Sequence, residues 1–150
     1  MRRFPLFPFC ALALLGFCSA ALTGCGIAKA KQDSGKVLAR HFLVISTNGY
    51  AEALGDYGSQ FFQGASKEEW KEALARLTAK LGEYQGHTIT AWRVFTKAGT
   101  VGSGTTVELQ CQVTYSKRSA NETFTLFKGM TGSEYKIIGH QIDGVALLKE

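Results

Sequence analysis

Histidine is scarce in this 150-residue chain, which has only His41, His87 and His140. Their separations of 46 and 53 residues fit no metal-ligand spacing, so no metal site is expected. Serine-nucleophile motifs, phosphate-cradling glycine loops and dinucleotide fingerprints are missing too. Gly99, Gly102 and Gly104 lie between two stretches of strand character rather than ahead of a helix, and no cofactor is expected. No run of Lys and Arg alternates with aromatic residues, which argues against a nucleic-acid partner. Proline is nearly absent: Pro5 and Pro8 are the only two, and both interrupt the early apolar stretch. Of four cysteines, Cys10, Cys18 and Cys25 crowd the amino terminus, leaving Cys111 alone in the remainder.

What is present at the amino terminus is a targeting pattern. Arg2 and Arg3 precede an uncharged, mostly apolar stretch from Phe4 to Ala21, the order of a signal peptide. A membrane span needs roughly 20 unbroken apolar residues, and Pro5, Pro8, Gly16, Thr23 and Gly24 break this run. The residues Leu22, Thr23, Gly24 and Cys25 resemble the lipobox of bacterial lipoproteins. That resemblance implies signal-peptidase recognition through Leu22, Thr23 and Gly24, cleavage ahead of Cys25, and acylation of Cys25. It implies a membrane partner through the acyl chains and an address in the cell envelope. Gly26, standing where an Asp would retain a lipoprotein in the inner membrane, favours the outer membrane facing the periplasm in a Gram-negative cell. The expected division is a signal peptide over 1–24, a lipidated tether over 25–34 and one domain over 35–150.

Removing 24 residues leaves 126, enough for one core without metal or disulfide staples. An internal disulfide is then impossible, because Cys111 has no unmodified partner. Cys111 alternates with Val107, Leu109, Val113 and Tyr115 and reads as a small buried hydrophobe. The net charge of +5 falls to +3 once Arg2 and Arg3 leave.

Residues 26–34 are small or polar without periodicity and read as a flexible tether; Lys29 and Lys31 in it and Lys36 just beyond could touch lipid headgroups but read first as solvated linker. Helical spacing of Leu38, Phe42 and Ile45 predicts a helix over 35–47, stopped by Asn48 and Gly49. A short helix over 50–57 follows. Ser66 to Glu69 form a capping box ahead of Trp70, Ala73, Leu74, Leu77 and Leu81, which predicts a third helix ending at Gly82. Beyond Gly86 the period becomes two, and strands are expected over 87–97, 105–117, 121–130 and 134–145. Their short connections allow only antiparallel neighbours. The fold class is therefore α+β: amino-terminal helices covering the apolar face of a four-stranded antiparallel meander.

This succession resembles the cystatin-like or nuclear-transport-factor-2-like roll, and more narrowly small exported or lipidated bacterial proteins of unknown function. The resemblance runs from Val37 to Leu148 and is carried by Phe61, Phe62, Ser66 to Trp70, Leu81, Gly82, the run Val107 to Tyr115, and Tyr135 to Gly139. These motifs are structural and imply no chemistry. Enzymes of the roll place Asp and His between sheet and helices, yet the apolar face of the second strand offers Cys111 and Tyr115 and no carboxylate. His41 and His140 read first as packing residues and His87 as exposed. Asn121, Glu122 and Thr123 match only a glycosylation triplet. His140, Asp143, Arg93 and Tyr57 are the candidate cavity residues, and no catalytic set assembles. The expectation is a membrane-anchored, non-enzymatic binding or interaction module for a protein partner or a small apolar ligand. The alternative is a small cavity hydrolase or isomerase.

Overall fold

The computed structural model describes residues 20–99 and 102–143. Three helices precede a four-stranded antiparallel sheet, the α+β roll that the change of period predicts. Residues 1–19 of the expected signal peptide over 1–24 and the end of the fourth expected strand, 144–145, lie outside the described residues.

Helix α1 spans Ala20–Asn48 and differs most from expectation, because residues 26–34 are helical rather than a flexible tether. Its buried stripe runs through Ala30, Ser34, Val37, Leu38, His41 and Phe42. Two members of that stripe in its first half are Ala and Ser, so hydrophobicity alone hid the period. Ser34 turns its hydroxyl back to the Lys31 carbonyl (3.0 Å), and Asp33 pairs with Lys29 (3.4 Å) and Lys36 (3.8 Å) on the solvent side. Gly49, at φ 81°, ends the helix.

Helix α2, Tyr50–Ala53, passes into a 3-10 turn over Leu54–Asp56. Tyr57 then bridges to Ile137 in parallel, which ties the chain to the sheet, and a second 3-10 turn covers Phe61–Gln63. Helix α3, Lys67–Leu81, has the expected reciprocal capping box: Ser66 Oγ accepts from Glu69 N (3.2 Å), and Glu69 accepts from Ser66 N (2.8 Å). It ends at Gly82, at φ 89°, where a Cβ would collide with Ser116. Leu81 O and Glu83 O accept the Lys117 and Ser116 amides, fastening the end of this helix to the turn after the second strand.

The strands are β1 (Tyr84–Lys97), β2 (Gly104–Tyr115), β3 (Ser119–Gly129) and β4 (Lys136–Asp143), paired in chain order. Val107, Leu109, Cys111 and Val113 of β2 lie opposite Leu126, Phe124, Glu122 and Ala120 of β3, and all eight are buried. One extra residue on β4 shifts the register between Thr125↔Gly139 and Leu126↔Ile137. That bulge reverses the side-chain parity of β4, so that Ile137 and His140 both face the helices.

Candidate functional site

The space between the helices and the sheet holds a file of polar side chains. Helix α1 contributes Arg40 and His41, the turn after α2 contributes Asp56 and Tyr57, and the sheet contributes Tyr115, Glu122 and His140. Glu122 is 1% exposed and the His140 side chain 3%. Buried polar atoms need partners, and here most of the partners are one another.

Glu122 sits at the centre of the sheet end of the file. Its Oε1 accepts from Tyr115 Oη (2.5 Å) and its Oε2 from His140 Nε2 (2.8 Å). With the His140 proton on Nε2, Nδ1 is an acceptor and takes the Tyr57 hydroxyl hydrogen (2.8 Å). His41 Nε2 lies 3.5 Å from the same Tyr57 oxygen, and His41 Nδ1 lies 3.5 Å from Asp56 Oδ2, an ion-pair distance without hydrogen-bond alignment. Arg40 closes the far end: Nε (3.0 Å) and Nη2 (2.6 Å) both donate to Asp56 Oδ1, and Nη1 donates to Glu134 (3.1 Å).

Burial governs the electrostatics. It pushes the His140 imidazolium below its ordinary pKa, and this outweighs the opposing pull of Glu122, so the ring is held neutral. Burial also raises Tyr57 and Tyr115 well above the usual phenol range. Asp56 goes the other way: burial alone would raise it, but His41 and Arg40 together hold the carboxyl below its ordinary value. Burial lifts the Cys111 thiol to about 12, which leaves it the inert packing group that the alternation suggests.

Aromatic rings enclose the file. Phe124 stacks on His140 at 4.1 Å between centroids, Trp70 meets it edge-on at 5.4 Å, and His41 stands against Tyr57 at 5.3 Å. The Trp70 indole N–H is buried without a hydrogen-bond partner among the described residues. Around Glu122 and His140, Phe42, Ile45, Leu74, Leu77 and Leu81 leave a cavity of about 10 Å³, room for roughly one water.

Of the four cavity candidates, the structure brings Tyr57 and His140 together and leaves the other two outside. Asp143 is exposed at the end of β4, paired in register with Asn121. Arg93 is exposed on β1, in register opposite Glu108. His87 is half-buried rather than exposed, packed on Phe42 (4.8 Å) and bonded to Tyr84 Oη (2.7 Å). The carboxylate missing from β2 is supplied by β3 as Glu122. Its signal was its place in the alternation Ala120, Glu122, Phe124, Leu126, where an inward position carries a charge. Asp56 and Arg40 carried no signal of that kind.

Elsewhere, an open groove of about 410 Å³ runs between the first turns of α1 and the sheet, lined by Ile27, Lys29, Val94, Thr96, Lys128 and Tyr135. Cys25 is exposed on α1 beside it. Among the described residues no helix is long and apolar enough to cross a membrane, and no three His, Cys, Asp or Glu side chains are placed to hold a metal ion. Comparison of the chain with protein-family models, with curated proteins and with solved structures gives no match.

Proposed function

We propose that this protein is a lipid-anchored lipoprotein of the cell envelope whose domain is a non-catalytic binding or interaction module. The anchor reading rests on Leu22, Thr23, Gly24 and Cys25. One observation supports the non-catalytic reading: the polar file is closed on itself. Both His140 nitrogens and both Glu122 oxygens are engaged by neighbouring side chains. A general base must reach a proton on a substrate, and the cavity that Glu122 and His140 share beneath the helices is only about 10 Å³. The network's role is to fix one packing of the helices on the sheet.

The second reading, a small hydrolase or isomerase, has one specific observation in its favour. A neutral His140 lies within 2.8 Å of both a carboxylate and a phenol, the pairing such an enzyme would use. Glu122→Gln separates the two. Gln keeps the shape and can still bond Tyr115 and His140 if the imidazole proton moves to Nδ1, so the fold is retained. For a binding module the folded variant complements a strain lacking the protein fully. Loss of complementation by a folded, normally abundant Glu122→Gln protein, corresponding to a rate loss on the order of 100-fold, overturns the non-catalytic reading. Mass spectrometry of the mature amino terminus tests the anchor, with a diacylglyceryl group on Cys25 as the expected result.

A further inference from the structure

Five large apolar side chains among the described residues are exposed, and three of them, Ile27, Phe95 and Met130, lie at or beside one end of the molecule. That end is defined by the sheet register. Lys97 pairs with Gly104, Gly104 with Gly129, and the Met130 amide bonds Ser103 O (3.2 Å), so the β1–β2 and β3–β4 connections lie side by side. The first turns of α1 reach the same end, because Gly26 and Ile27 share a groove with Thr96, Thr105 and Lys128.

The cations gather there as well. Lys128 Nζ lies 5.3 Å from the centre of the Tyr135 ring, and both line the groove. Lys29 and Lys97 are exposed beside them, while the carboxylate lining the groove, Asp33, is paired with Lys29. Residues 24–29 of α1 are all exposed, and Ala30 is the first buried against the sheet. At 1.5 Å per residue, Cys25 stands only about 7–8 Å along the helix from that contact.

We propose that this end is a docking surface for an anionic lipid bilayer. The inference rests on the anchor reading above and deepens it: a helix joins Cys25 to the domain in place of a slack tether, so acyl chains on Cys25 bring the end of the sheet down onto the headgroups. Phe95, Ile27 and Met130 enter the interfacial layer, where apolar side chains gain most from leaving water. Lys29, Lys97 and Lys128 meet lipid phosphates. The domain therefore lies against the membrane and presents its opposite end to partners.

The test uses the full mature protein in vesicles of phosphatidylglycerol and phosphatidylethanolamine, with bromine carried on the acyl chains near the headgroup. Bromine quenches tryptophan only at short range, so Trp92→Phe combined with Phe95→Trp places the reporter at the proposed surface, with Trp70 half-buried against Tyr57, Phe61 and His140. The expected result is loss of the emission that Phe95→Trp adds, weakened by Lys97→Glu combined with Lys128→Glu. Acylated Cys25 with that emission unquenched overturns the docking inference and leaves the anchor intact. Quenching on a chain whose Cys25 carries no lipid supports docking and overturns the anchor. Shielding of that emission by a second copy of the chain, shown by cross-linking across the groove, overturns docking in favour of self-association.

Discussion

His140 illustrates how one side chain couples this fold to pH. Its ring faces Glu122 from β3, Tyr57 from the turn after α2 and His41 from α1, with Phe124 and Trp70 on its flanks. Burial depresses its pKa in the folded state below the ordinary 6.5. As pH falls through about 6.5 the unfolded chain takes up a proton that the folded chain refuses, so stability is complete above that value and is lost below it. Half-buried His87, also depressed by burial, acts in the same direction. Asp56 has its carboxyl held low, so its contribution is present above the ordinary carboxylate range and disappears only in stronger acid. The melting temperature should therefore fall between about pH 6.5 and pH 5, with His140 removing up to ~1.4 kcal/mol per unit. A flat profile over that interval would show that His140 ionises freely in the folded protein.

Helix α3 shows what an element needs beyond its own signals. Its capping box, its apolar spacing and its terminal glycine were all legible, and each is found where the pattern placed it. Its energetic weight comes from Trp70, Leu74 and Leu81, which close the space over Tyr57, Phe61 and His140. Trp70 is half-buried, so Trp70→Ala should cost about 3 kcal/mol and lower the melting temperature by roughly 10 °C. An unchanged thermal midpoint would mean that this helix does not cover the polar file. Helix α1 makes the opposite point. Its first half reads as a tether because Ala30 and Ser34 occupy inward positions, and small residues there bring the helix close to the sheet while leaving no hydrophobic period to read.

At the scale of the molecule, one rigid helix links the expected lipidation site to the core. The consequence for anchoring is direct: Cys25→Ala should abolish acylation and leave the precursor uncut by the lipoprotein peptidase, while the sheet and its cover fold normally. Wild-type protein with an unmodified Cys25 at its mature terminus would refute the anchor. Loss of folding in Cys25→Ala would be equally unexpected, because Cys25 is exposed and the first buried contact of the helix is Ala30.

The sequence alone determined the class of fold, since a change of period from 3.6 to 2, a capping box and short glycine-bearing turns are local signals that only helices followed by an antiparallel meander can satisfy together. It also fixed Cys111 as a core residue, by alternation. The polar file was decided by the tertiary structure. Tyr115 and Glu122 are seven residues apart, Tyr57 and His140 eighty-three, Arg40 and Glu134 ninety-four, and nothing local records such pairings. The direction of His140 depends on one extra residue in β4 against β3. A bulge changes which face every later side chain joins, and its position is set by how two strands pair rather than by either strand alone.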